Sequence, residues 1–322
     1  MRTIAVALAG LLAVAACSSP AAGPAPPPAT YPPQTVSPSR PPGATPATQV
    51  TASPVARPVP ARVTVTRTRM RDGSVVTLAA FSGPVSYVLH DGSEDPGLAA
   101  GRVRAGPAVR GTERGRLLAA FNGGFKLSAG AGGYEQEGHV AAALRPGVTS
   151  LVIDRSGQAR IGVWGYGVPA PGEAVYSVRQ NLPPLVLHGR PTAGAADWGL
   201  WGATLGGGEY VARSALGQDA AGHLVYAASM SASPADLAVA MARAGVRVAM
   251  ELDINPEWVQ LDVASHPGGA LRAALHGQNR PANQFLLGWA RDFIAVLAPG
   301  EGQRASRSSA RRCARSGAGA RR

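Results

Sequence analysis

Between Ser18 and Pro60 the chain consists mostly of Pro, Ala, Ser and Thr, with Pro26-Pro27-Pro28 and Pro41-Pro42 as its stiffest points. Few of these side chains are large enough to build a core, so burial cannot offset the entropy of ordering the backbone. Residues 18–60 therefore read as a disordered, polyproline-like tether. At the other end, seven Arg and one Glu fall between Glu301 and Arg322, which gives that stretch +6 of the formal net charge of +12. Residues 299–322 read as a disordered Arg-rich tail. What folds is thereby confined to residues 61–298, enough for one large domain or two small ones. Aromatic residues make up 5% of the chain, so Val, Leu and Ala must supply most of the packing.

Residues 1–17 have the form of an export signal. Met1-Arg2 gives a positive start, and Ile4 to Val14 is an apolar run too short for a permanent span. It ends in Val14-Ala15-Ala16-Cys17, which resembles a bacterial lipobox: small residues admit a signal peptidase, and the thiol of Cys17 takes the lipid. Several acyl chains on one residue suffice for stable anchoring. The expected location is the outer face of the cytoplasmic membrane or the cell envelope. Cys313 is the other cysteine, so a lipidated Cys17 leaves no pair for an intramolecular disulfide and the fold must stand on its core.

Within 61–298 the pattern is dominated by short strand-like runs. Val63 to Thr68 alternates apolar and polar residues, and Ser74 to Phe81 and Val85 to Leu89 follow, closed by His90-Asp91-Gly92. Leu117 to Phe121 stops at Asn122-Gly123-Gly124. Ser150 to Ile153 and Ala159 to Trp164 flank Asp154-Arg155-Ser156-Gly157, a hairpin signature. Leu185 to Leu187 precedes the turn His188-Gly189.

The clearest unit lies near 223–253. His223 to Ala228 is strand-like. Ser233 is a good N-cap, Pro234 suits the first helical position, and Gly245 suits a left-handed C-cap after a helix to about Ala244. Val246 to Leu252 then forms a strand, so a β-α-β unit with parallel strands is expected. Strand alternation puts Arg247, Ala249, Glu251 and Asp253 on one face. Two carboxylates thus share a face at the C-terminal edge of a strand, where ligand sites of such sheets gather. Surface pairing with Arg247 is the plain structural alternative. The fold class expected is α+β, with mixed β-sheets and a few packed helices.

Five segments in order carry a resemblance: Phe121-Asn122-Gly123-Gly124-Phe125, Arg179-Gln180-Asn181-Leu182-Pro183, Arg213-Ser214-Ala215-Leu216-Gly217, the helix from Ser233, and Met250-Glu251-Leu252-Asp253. Together they span about half of the chain and resemble the phosphodiester glycosidase family, the family of the mannose 6-phosphate uncovering enzyme. The chain departs from it after Asp253. Where most members continue with glycines and serines, it reads Ile254-Asn255-Pro256-Glu257-Trp258, a stiffer form associated with exported actinobacterial lipoproteins.

The resemblance implies cleavage of a sugar C1–O–phosphate diester. That chemistry must hold an anion, attack the anomeric carbon and tolerate oxocarbenium charge. Asp253 is the expected nucleophile or base and Glu251 its proton-transfer partner. Arg213 is the candidate phosphate ligand through its planar fork, or else a salt-bridge partner. Asn122, with Gly123 and Gly124, offers close backbone approach to a ligand, or a plain tight turn. Asn181 and Asn255 are candidate substrate contacts, Asn255 through a sugar hydroxyl. Trp201, with Trp198, offers a stacking face or core packing.

The six histidines show no zinc-protease spacing. There is no Gly-x-Ser-x-Gly elbow, no P-loop and no cysteine pair for zinc. No cofactor or metal is expected; Asp253 and Asn255 supply two oxygens, which do not define a cation site. The partners expected are a carbohydrate or sugar-phosphate substrate and the membrane, through the lipid, with no specific nucleic acid. Three functions fit: a cell-surface hydrolase of a sugar-1-phosphodiester in envelope glycopolymer or exopolysaccharide, a non-catalytic carbohydrate-binding lipoprotein, or an anion-binding adhesin working through the Arg tail. Cys17→Ser tests the anchor. The variant should leave the membrane fraction on cell fractionation, and unchanged association rejects lipidation at Cys17.

Overall fold

The computed structural model describes residues 60–97, 103–202 and 207–300. Cys17, the export signal, the tether before Pro60 and the arginines beyond Gly300 lie outside the described residues. No described helix is long and apolar enough to cross a membrane.

The expected α+β class is corrected by the structure, which is mainly β. Among the described residues, eighteen strands stand against three α-helices, and two of these, α1 (Gly111–Arg114) and α3 (Gln284–Leu287), have only four residues. The physical reason is in the sequence: apart from 234–243, the apolar runs are too short and too rich in Gly and Val to make more than one helical turn.

The first sheet has seven strands: β1 (Arg62–Arg69), β2 (Val75–Ser82), β14 (Leu224–Ala232), β13 (Val211–Asp219), β15 (Val246–Glu251), β11 (Val186–Leu187) and β12 (Arg190–Pro191), in that spatial order. The second has six: β6 (His139–Ala142), β5 (Tyr134–Gln136), β10 (Ser177–Gln180), β7 (Thr149–Ile153), β8 (Ala159–Trp164) and β9 (Gly167–Val168). The third has five: β17 (Leu271–Ala273), β16 (Leu261–Ala264), β4 (Leu117–Asn122), β18 (Phe293–Leu297) and β3 (Ser86–His90). The hairpin read at Asp154 is β7–β8.

The β-α-β unit is present, with one refinement. β13 pairs antiparallel with both β14 and β15, so those two strands run parallel but with β13 between them. The crossover is α2 (Pro234–Arg243). Ser233 Oγ accepts the Asp236 N–H at 3.1 Å and donates to the Asp236 carboxylate at 2.6 Å, and Gly245 ends the helix at φ +84°. Leu237, Ala240 and Met241 bury against Ala215, Ala227, Val246 and Ala249 on one face of the first sheet. Gly217 makes that approach possible: a Cβ there would sit 2.4 Å from Val246 Cγ1 and 2.9 Å from Met241 Cε.

The other face of the first sheet meets the second and third sheets in one core that contains Phe81, Phe121, Leu151, Leu216, Tyr226 and Ile294. Phe81 stacks on Phe121 at 5.6 Å, and Phe121 lies 4.7 Å from Tyr226, so aromatic rings mark the junction. β18 is buried on both faces, which explains its unbroken Phe-Ile-Ala-Val-Leu run: Ile294 and Val296 face this core, while Phe293, Ala295 and Leu297 join a second one with Phe285 and Trp289. Two substitutions test the packing of α2. Ser233→Ala should cost about 1 kcal/mol, and Gly217→Ala should cost about 1–3 kcal/mol by overpacking, both read by urea unfolding.

Candidate active site

Seven chain segments converge on one cavity of about 880 Å³: the residues after β15, the turn after β4, the turn after β10, the segment 199–202, the start of β13, Met230 of β14, and the residues just before β18. Asp253 is pinned there by its backbone. Its N–H donates to the Gly123 carbonyl at 3.1 Å, and its carbonyl accepts from the Ser214 N–H at 3.1 Å and Oγ at 2.8 Å. Its side chain accepts the Asn255 N–H at 2.9 Å and lies 3.3 Å from Nη2 of Arg291. Arg291 in turn donates to the Gly124 carbonyl at 3.2 Å, stands 3.2 Å from Asp95, and sits over the Trp258 ring. Asp253, Arg291, Asn255 and Lys126 all line the cavity. Burial pushes the Asp253 carboxyl up to about 6, against the pull of Arg291 and the Asn255 N–H.

Glu251 and Arg213 occupy a different place. They pair with each other at 2.8 Å, both fully buried. The remaining Arg213 donors go to the carbonyls of Ala232, Trp201 and Glu209. Neither residue lines the cavity, so the structure realises the salt-bridge alternative for Arg213. The shared face expected for Glu251 and Asp253 breaks because the strand ends at Glu251. Asp253 lies beyond it. Burial pushes the Glu251 carboxyl up and Arg213 opposes the rise.

The asparagines and glycines serve the frame. Asn122 donates to Ser214 Oγ at 2.8 Å and to the Gly123 carbonyl at 3.0 Å, and accepts from the Tyr226 hydroxyl and the Gln260 N–H. Asn181 accepts from the Phe125 N–H at 3.2 Å and donates to the Glu251 carbonyl at 2.8 Å. Gly123 and Gly124 make room for a buried ion pair: a Cβ on Gly123 would lie 1.9 Å from Asp292 Oδ2, and one on Gly124 2.8 Å from Arg179 Cζ. Arg179 and Asp292 form a two-pronged pair at 2.9 and 3.2 Å, each 1% exposed. Trp201 is core, with its indole N–H on the Gly194 carbonyl; Trp198 is half-exposed outside the cavity lining. Asn255 accepts the Glu257 N–H at 3.0 Å.

Sequence reasoning missed Arg291, Asp292 and Lys126. The available signal was a charged Arg-Asp pair directly before the apolar run of β18, in a place where a buried strand has no use for two charges. No described group of three or more His, Cys, Asp or Glu is placed to hold a metal.

No family model and no curated protein matches the chain. Among solved structures it is similar to the catalytic domain of zebrafish N-acetylglucosamine-1-phosphodiester alpha-N-acetylglucosaminidase, auto-inhibited by its pro-peptide. The match has 14% identity and a TM-score of 0.47 and covers 76% of this chain and 85% of that one. It is also similar to a hypothetical protein from Synechocystis, at 15% identity and a TM-score of 0.46, over 74% of this chain and 62% of that one.

The frame and the cavity separate by mutation. Asp292→Ala leaves Arg179 charged and buried without its partner, so it should cost about 3–5 kcal/mol in denaturant unfolding. Asn122→Ala removes neutral hydrogen bonds and should cost less, about 1–3 kcal/mol.

Proposed function

We propose that this domain hydrolyses the C1–O bond of a sugar 1-phosphodiester in an envelope glycopolymer or exopolysaccharide, held outside the membrane by the lipid on Cys17. The observation that carries the reading is the side-by-side placement of Asp253 and Arg291 on the wall of a large cavity. Arg291, rather than Arg213, is the phosphate ligand. A cation 3.3 Å from the carboxylate sets the phosphate next to the group that acts on C1. Asp253 either attacks C1 or takes a proton from the attacking water, and both roles need it ionised. The C1–O electron pair leaves on the phosphate oxygen. A phosphate monoester is a good leaving group, so the absence of a second carboxylate from the described cavity lining is no obstacle.

A carboxyl raised to about 6 is mostly ionised at pH 7 and more basic than an ordinary Asp. Turnover should therefore rise with pH through about 6 and then level off. Asp253→Asn should lower turnover about 100-fold or more and change binding little. The same residue has a stability signature. Its native pKa lies above the unfolded one, so its favourable contribution is complete below about pH 4 and is lost as pH rises through about 6. The melting temperature of Asp253→Asn should thus gain on wild type between pH 4 and pH 7. A screen of the purified domain against sugar 1-phosphodiesters decides the reading. Full activity in folded Asp253→Asn removes Asp253 from the chemistry. Glycan binding by wild type with no diester turnover favours the non-catalytic carbohydrate-binding alternative.

A further inference from the structure

The cavity is poor in the groups that a second sugar needs. Its described lining has three charged side chains, Asp253, Arg291 and Lys126, and only Ser128 and Asn255 as neutral polar ones. The Asn255 oxygen is already engaged by the Glu257 N–H. Few side chains on the rest of the wall can pair a sugar hydroxyl, and an unpaired buried hydroxyl is costly.

The remaining lining side chains are apolar, and several belong to a cluster separate from the main core. Phe125, Ala131, Ile254 and Leu182 form a small hydrophobic cluster of their own, and all four line the cavity. Gly202 brings its own segment against Phe125 and Ile254: a Cβ there would lie 2.7 Å from the Phe125 ring and 2.9 Å from Ile254 Cδ1. Leu200 and Met230 extend the lining. The apolar surface also runs outward. Leu200, which lines the cavity, is itself 52% exposed, so the apolar lining reaches solvent there. An apolar wall that begins beside an Arg–Asp pair and continues to solvent has the shape of an amphiphile site, with the anion at one end.

We infer that the alcohol side of the phosphodiester is a long alkyl or polyprenyl chain, so that the substrate is the lipid-linked end of an envelope glycan. This rests on Arg291 holding the phosphate and Asp253 acting on C1. In that reaction water oxygen bonds to C1 as Asp253 takes its proton, the C1–O bond breaks with its electron pair on phosphate, and an alkyl phosphate leaves with the chain against Phe125, Ile254 and Leu200.

The alkyl phosphate product is a direct probe that needs no knowledge of the sugar. Methyl, butyl and octyl phosphate, with octanol as a headless control, are titrated calorimetrically into the purified domain below their aggregation limits. Affinity should rise by about fourfold for each added methylene, the equivalent of about 0.8 kcal/mol, and octanol should bind at least tenfold more weakly than octyl phosphate. Leu200→Asp should flatten the dependence on chain length while melting near wild type. Octyl phosphate binding no tighter than methyl phosphate overturns the inference, as does octanol binding equally well. The catalytic reading is scored separately, by diester turnover in wild type and Asp253→Asn. Steep chain-length dependence without any turnover upholds the amphiphile site and rejects the hydrolase. Turnover that is indifferent to chain length does the reverse.

Discussion

The buried Arg179–Asp292 pair holds the molecule's junction together. Arg179 belongs to β10 in the second sheet, and Asp292 stands directly before β18 in the third. Their two-pronged bond joins the two sheets, and Gly123 and Gly124 exist as glycines because that pair fills the space a side chain would take. The guanidinium also donates to the carbonyls of Phe125 and Gln180, so its donors hold both turns that border the cavity. A fully desolvated pair is weak evidence of net stabilisation, but it is highly intolerant of losing one member. It therefore locks one arrangement of the three sheets. Arg291, the neighbour of Asp292 in sequence, reaches Asp253 from that lock, and Asp253 is in turn tied to the first sheet through Ser214.

Four buried carboxyls are pushed upward by their loss of water: Asp91 to about 6, Asp253 to about 6, Asp262 to about 7 and Glu251, paired with Arg213, to about 8. Asp91 accepts from the Tyr134 hydroxyl, and Asp262 from the side-chain amides of Gln260 and Gln278, so both serve as acceptors inside the frame. Asp253 differs in lining the cavity. Its ionised form is disfavoured by burial and leaned on by a single arginine shared with Asp95. A group held in a costly state at the wall of a cavity is accounted for by chemistry better than by folding.

Much of the frame was legible in the sequence, because strands and turns are local. The strand runs, the Asp154 hairpin, the Ser233 cap and the Gly245 stop depend on side-chain period and backbone freedom within a few residues. The class is less legible, because one well-formed helical pattern, Ser233 to Ala244, does not tell how few other helices the chain makes. The site was legible in part. Asp253 was found by its position after a strand, and Asn122, Asn181 and the glycines by the segments that carry them. Their roles were not, since an Asn or Gly reads the same whether it meets a ligand or a buried neighbour. Arg213 and Arg291 were indistinguishable by type. What separates them is which side of the first sheet each reaches, a property set by pairings between residues far apart in the chain.

The stretch from Asp253 to Pro256 gives the cavity much of its character. Asp253, Ile254, Asn255 and Pro256 all line the cavity. Ile254 completes the apolar cluster with Phe125 and Ala131, and the Asn255 N–H holds the Asp253 carboxylate in place. Pro256, with φ fixed by its ring, and the Asn255–Glu257 turn keep that loop from moving with what it binds. Glycines at these places would leave the carboxylate where it is but remove the wall beside it.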